Sequence, residues 1–191
     1  AHRSITVESV FFLTGLLMAY GSVAEDVTIT VKDLKSKPYI ALTLQLMEQF
    51  GVKVQQENFE HFRFGKKQTY RAGEYTVEGD WSGAAFLLVA AAVAGKAEVH
   101  HLNIHSAQSD KAILEALEKA GAHLAPGVFT VIVEKGRLQA FEFDATDCPD
   151  LFPPLVALAA NCKGITRLRG VSRLAHKESD RGLTLQEEFA K

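Results

Sequence analysis

Two cysteines, two methionines and one tryptophan are all that this 191-residue chain holds of those types. Cys148 and Cys162 lie in no metal-ligand spacing, so they supply neither a disulfide framework nor a zinc module. A reduced, cytoplasmic protein is the expectation. Long apolar runs are missing too. Residues 11–20 form an apolar stretch, but it falls short of the ~20 residues that span a bilayer. It also lacks the basic flank and cleavage pattern of a signal peptide. No membrane partner is expected. Neither sign of charge dominates: 21 Lys and Arg oppose 23 Asp and Glu, a formal net charge of -2. That balance argues against nucleic acid as a partner, although it is compatible with a local cationic pocket. There is no P-loop spacing, no low-complexity segment and no long linker. The seven histidines form no metal constellation. His100 and His101 adjoin in a predicted strand, where they would point to opposite faces.

What is present is apolar and periodic. Hydrophobic residues make up 47% of the chain, enough for one large or two small domains. Three Ala/Leu-rich segments, residues 11–20, 83–94 and 151–161, each end near a glycine: Gly21, Gly95 and Gly164. The glycines stand about 70 residues apart, a spacing too long for a solenoid repeat. After each comes a short alternating run, at 27–31, 99–104 and 165–169, the pattern of a half-buried strand. An amphipathic helix pattern follows: Ile40, Leu42, Leu44, Leu46, Met47 and Phe50; then Ile113, Leu114, Leu117 and Ala120; then Leu183, Leu185 and Phe189. Gly51 and Gly121 are the expected stops of the first two. Further strand-like runs lie at 52–64, 128–134 and 138–143. The unit is helix, strand, helix and two strands, present about two and a half times, which implies an α/β architecture of helices covering sheets. The boundary candidate is residues 75–80. The chain opens on Ala1 and closes on Lys191 inside a helical pattern, so a piece of a longer protein is expected.

Four segments could carry chemistry. Between Lys163 and Arg181 lie Arg167, Arg169, Arg173, His176 and Lys177, opposed by Glu178 and Asp180. If a helix begins here, Lys177 and Arg181 share a face and Glu178 lies three residues from Arg181. Cations and a carboxylate at a helix start suit an anionic substrate that needs proton transfer. By spacing alone, a solvated helix start capped by Ser179 explains the run better. Asp150, in Cys148-Pro149-Asp150-Leu151-Phe152-Pro153-Pro154, is a helix N-cap on one reading and a base at a cleft edge on another. Leu34-Lys35-Ser36-Lys37-Pro38-Tyr39 offers two hydroxyls and a charge before a helix, or a capped start with Tyr39 half-buried. Val77-Glu78-Gly79-Asp80-Trp81-Ser82-Gly83 has the small residues of a tight turn into a helix.

In their joint occurrence these segments resemble the EPSP synthases, the enolpyruvyl transferases of the shikimate pathway. The family's Lys-Glu-Ser-Asp-Arg signature stands intact at Lys177 to Arg181. Ser36-Lys37-Pro38-Tyr39-Ile40, Phe12-Leu13-Thr14-Gly15-Leu16-Leu17-Met18, Val77-Glu78-Gly79-Asp80 and Pro149-Asp150 match in the family's order. The resemblance implies two lobes of repeated βαβαββ units, an inside-out α/β barrel that is incomplete here. Residues 1–77 would be the C-terminal part of the first, shikimate-phosphate-binding lobe. Residues 78–191 would be part of the second lobe, with the signature.

The implied reaction transfers the enolpyruvyl group of phosphoenolpyruvate to the 5-hydroxyl of shikimate 3-phosphate and releases phosphate, with no metal or organic cofactor. By resemblance, Asp150, Lys177 and Glu178 are the catalytic residues. Ser9, Ser36, Tyr39, Asp150, Arg173, Lys177 and Arg181 bind substrate. The family is monomeric in full length. Groups of the family site that lie outside this span would leave it inactive alone. Two departures stand out: Ser9-Val10-Phe11 where the family has Ser-Ser-Gln, and Ala41 where it has Asp. They keep open a non-catalytic module of the same fold. An enolpyruvyl transferase acting on UDP-N-acetylglucosamine is the enzymatic alternative.

Overall fold

The computed structural model describes residues 3–7, 10–176 and 180–191. The chain divides into two units, Ala1–Thr76 and Val77–Lys191, each with its own apolar core.

The first unit runs β1 (Arg3–Val7), α1 (Val10–Val23), β2 (Val27–Val31), α2 (Lys37–Gln49), β3 (Gln55–Glu57) and β4 (His61–Phe64). Its sheet has the order β1-β2-β4-β3. β1 and β2 are parallel, and the other pairs are antiparallel. Parallel neighbours need a crossover connection, which α1 supplies. Along β2, Val27, Ile29 and Val31 are buried while Thr28 and Thr30 are not, the alternation expected of a strand with one covered face. Register sets Ile29 opposite Phe62 and Val27 opposite Phe64, so the aromatic rings fall on the same covered face. Leu13 and Leu17 of α1 and Ile40 and Met47 of α2 complete this core. Each such side chain contributes about 1.5–3 kcal/mol on burial.

α1 does not stop at Gly21. The Tyr70 ring lies where a side chain at position 21 would be, and its hydroxyl donates to the Met18 carbonyl at 2.8 Å. Gly21 is therefore a seat for a ring within the helix, and the helix continues to Val23. The expected stop at Gly51 is present, with a left-handed φ of 87°.

The second unit runs α3 (Trp81–Ala94), β5 (Lys96–His100), α4 (Ile113–Ala120), β6 (His123–Pro126), β7 (Thr130–Glu134), β8 (Glu142–Asp144), α5 (Phe152–Ala160), β9 (Arg167–Arg169) and α6 (Arg181–Phe189). Short 3-10 turns at Ser109–Ala112, Pro149–Leu151 and Val171–His176 precede α4, α5 and α6. Antiparallel β5-β7-β6 repeats the arrangement of β2-β4-β3. Parallel β8 and β9, joined through α5, repeat β1-α1-β2. The strand-like run at 138–143 therefore opens a third copy and does not close the second: its partner is β9, not β7. His101 lies past the end of β5 with φ 64°, a turn conformation, so the two histidines do not flank one strand.

Trp81 and Leu88 of α3, Ile113 and Leu117 of α4, Val131 and Val133 of β7, and Leu155 and Leu158 of α5 form the second core. The approach to α3 is tightly held. Ser106 Oγ and Gln108 Nε2 both donate to Glu78 Oε1, the latter at 2.9 Å. The Gln108 amide also donates to the Gly79 carbonyl at 3.0 Å and accepts from Trp81 N at 2.9 Å. Asp80 caps α3 by accepting from the backbone N–H groups of Ser82 and Gly83. Among the described residues no helix is long and apolar enough to cross a membrane.

Candidate active site

Asp150 sits on the 3-10 turn before α5, between Pro149 and Leu151, whose side chains are buried. Anchoring on both sides fixes the backbone from which its carboxylate projects. The helix cap falls on Leu151 and the cap of the 3-10 turn on Cys148, so Asp150 is no N-cap. Instead its Oδ1 accepts from Arg181 Nη1 at 2.6 Å. The side chains are 29% and 27% exposed respectively, which places this pair between the weak surface class and the costly buried class.

Arg181 is the first residue of α6. Asp180 is its cap, accepting from Leu183 N at 3.1 Å, while Thr184 Oγ1 donates to the Asp180 carbonyl at 3.1 Å. The helix thus begins at Arg181. The expected one-face spacing of Lys177 with Arg181 involves a residue outside the described ones. A cation at a helix N-terminus opposes the helix dipole. The carboxylates of Asp150 and Asp180 offset that cost. Arg173 is half-buried on the Val171–His176 turn, which Leu174 ties into the core.

The remaining cations of the run divide by strand geometry. Arg167 and Arg169, two apart on β9, share a face and reach Glu142 on β8 at 3.3 and 3.5 Å. All three are largely exposed, so for them the solvated-surface reading holds.

In the first unit, Ser36 and Tyr39 occupy one turn at the start of α2. Tyr39 N donates to the Ser36 carbonyl at 3.1 Å, and the Tyr39 carbonyl accepts from Thr43 Oγ1 at 2.9 Å. Ser36 is the N-cap residue, yet its backbone is left-handed, with φ 53° and ψ 42°, and its side chain makes no capping bond. Its hydroxyl is buried with the residue. A non-glycine residue in this region costs on the order of 1–2 kcal/mol. Ala41, where the family pattern has Asp, is half-buried on α2.

Ser9, Lys177 and Glu178, together with Ser179, lie outside the described residues. Of the remaining candidates, the fold brings Asp150 and Arg181 into contact and places Ser36 beside Tyr39. Sequence reasoning missed Asp180 as the cap. The signal was there, an Asp three residues before a backbone N–H in need of an acceptor, but Ser179 competed for the role. Nothing in the sequence signalled the pairing of residues 150 and 181.

A βαβαββ unit followed by two partial copies defines the class: the fold is that of the enolpyruvyl transferases. EPSP synthase from Acinetobacter baumannii matches with a TM-score of 0.70 at 24% identity, covering 97% of this chain and 44% of that one. The enolpyruvyl transferase NikO from Streptomyces tendae matches at 0.62 and 16% identity, covering 86% and 43%. Within that class, the family model of EPSP synthase (3-phosphoshikimate 1-carboxyvinyltransferase) matches residues 1–191, and the chain belongs to this family. It is 39% identical over 183 residues to the 3-phosphoshikimate 1-carboxyvinyltransferase of Methanocella arvoryzae. It is also 39% identical over 186 residues to that of Nitrosomonas europaea. Each alignment covers 94% of this chain and 43% of the relative's own length.

Proposed function

We propose that the enzyme carrying this chain transfers the enolpyruvyl group of phosphoenolpyruvate to the 5-hydroxyl of shikimate 3-phosphate, a step of aromatic amino acid biosynthesis. The two units belong to its two lobes, and this span is inactive without the rest. The enzyme works as a cytoplasmic monomer. Membership of the family over the whole chain supports the activity. The observation that carries the site assignment is the contact of Asp150 with Arg181, which joins a candidate base to a candidate anion holder.

The acceptor hydroxyl oxygen attacks C2 of phosphoenolpyruvate. Its proton passes to Asp150, and the CH2 carbon takes a proton from the Lys177 and Glu178 pair. The tetrahedral adduct then expels phosphate, which leaves with the C–O electron pair and takes up the proton held by Asp150, while a methyl proton returns to the Lys177 and Glu178 pair. The vinyl ether forms. Arg181 holds the donor anion, since a guanidinium fork fits carboxylate or phosphate in a bidentate way. Arg173 adds positive charge nearby in sequence. Ser9, Ser36 and Tyr39 bind shikimate phosphate. Catalysis here is positioning and stabilisation of developing charge.

The test is phosphate release by the full-length enzyme. Release should require shikimate 3-phosphate and phosphoenolpyruvate together; release with UDP-N-acetylglucosamine as acceptor overturns the substrate assignment. Glu178→Gln should slow turnover by about 10²- to 10⁴-fold with little change in substrate affinity. An unchanged rate removes Glu178 from the proton transfers.

A further inference from the structure

We propose that Asp150 is a counter-ion of Arg181 that competes with the donor anion for its guanidinium. This rests on the proposed activity and assigns Asp150 a second part in it. The pair is close, 2.6 Å, and both side chains are more than two-thirds shielded. The contact engages Asp150 Oδ1 and Arg181 Nη1, so a donor anion that takes the guanidinium competes with this carboxylate oxygen for the same N–H group. Arg181 stands at the N-terminus of α6, where the helix dipole adds to the demand for an anion. Asp150 Oδ1 meets that demand at 2.6 Å. An incoming carboxylate or phosphate offers the same charge with more acceptor oxygens, so the fork can change partners without ever losing an anion.

The exchange makes and breaks no covalent bond. One ion pair, Arg181 with Asp150, gives way to another, Arg181 with the donor. The helix anchors keep both backbones in place: Asp150 between two buried neighbours, Arg181 behind the Asp180 cap.

Competition has a signature that a structural role lacks. Neutralising Asp150 removes the competing anion, so donor binding tightens while turnover falls. The experiment uses the full-length enzyme, with Asp150→Asn and Asp150→Ser as neutral variants and Asp150→Glu as the charge-keeping control. Melting temperatures show which variants fold, and either neutral variant suffices. Phosphoenolpyruvate binding is measured by calorimetry, alongside kcat. In a neutral variant the donor Kd should fall about 5-fold, the factor one partly shielded ion pair is worth, and kcat should fall ~100-fold or more. Asp150→Glu should keep the donor Kd within about twofold of the parent. A lowered kcat with unchanged or weaker donor binding overturns the exchange and leaves the activity standing. Unchanged kcat and unchanged binding overturn both the exchange and the place of Asp150 in the site. Failure of the parent enzyme to release phosphate overturns the proposed activity itself.

Discussion

Ser36 shows how a single residue can reveal its use through its backbone. It sits at a helix N-cap in a left-handed conformation and does not cap. Ser36→Ala keeps the strained backbone and loses the hydroxyl, whereas Ser36→Gly loses the hydroxyl and relieves the strain. Chemical denaturation should therefore find the Gly variant more stable than the Ala variant, by about 1 kcal/mol. Both should bind shikimate 3-phosphate weakly in the full-length enzyme. Equal stability would mean that position 36 holds no strain. Cys148 makes a second prediction at this scale. Burial, reinforced by the charges of Asp110, Asp147, Asp144 and Glu115, pushes its thiol up to about 12 from an ordinary 9.0. Above the unfolded pKa the unfolded chain loses a proton that the folded chain keeps. Stability should then decline from pH 9 toward pH 12 by up to ~1.4 kcal/mol per pH unit. Cys148→Ala should flatten that decline in alkaline melting curves, though filling the space less well it starts from a lower plateau.

Elements are held by their ends as much as by their faces. Asp80 satisfies two of the backbone N–H groups that open α3, at 3.0 and 2.9 Å. Asp80→Ala should cost about 1 kcal/mol in thermal denaturation, within the 0.5–2 kcal/mol range for lost caps. Asp80→Asn should recover most of it. Gly170, between β9 and the turn carrying Arg173, has φ 96°, and a Cβ there would stand 2.6 Å from Thr146 N. Gly170→Ala meets both a backbone penalty and a clash with main chain that cannot swing aside. It should destabilise more than the loss of the Asp80 cap does, and a cost below 0.5 kcal/mol would show that the loop rearranges. This scale was the most legible one in the sequence. The alternation at 27–31 is β2 to the residue, and the periodic leucines and isoleucine at 113–117 lie in α4. What misled was punctuation. Gly21 accommodates a ring and does not end a helix, and the apolar run at 138–143 belongs to the copy that follows it.

Across the whole molecule the apolar surface is unevenly covered. α1 and α3 are apolar nearly all round, yet Phe12, Met18 and Val23 on α1 and Phe86 and Leu87 on α3 are half-exposed or more. Exposed apolar residues that form a contiguous patch along a helix mark a surface that associates. Sedimentation of this chain should show concentration-dependent association. Phe12→Gln combined with Phe86→Gln should reduce it without lowering the melting temperature by more than a few degrees. Undiminished association would place it on another surface. The interior responds otherwise: Leu88→Ala, at a fully buried position of the second core, should cost about 2–5 kcal/mol.

The sequence by itself determined the repeated unit, the helix and strand content and, through the Lys177 to Arg181 run with its companions, the family. Those follow from local periodicity and from motifs, each contained within a few neighbouring residues. Tertiary structure alone decided which residues meet. Asp150 and Arg181 lie 31 positions apart, and no local rule links a 3-10 turn before one helix to the first residue of another. Their 2.6 Å contact exists because β8 and β9 pair in parallel through α5 and because Leu174 ties the intervening turn to the core. By spacing, the cationic run was one feature. The fold divides it into surface arginines on β9 that pair with Glu142 and an arginine at a helix N-terminus that pairs with Asp150.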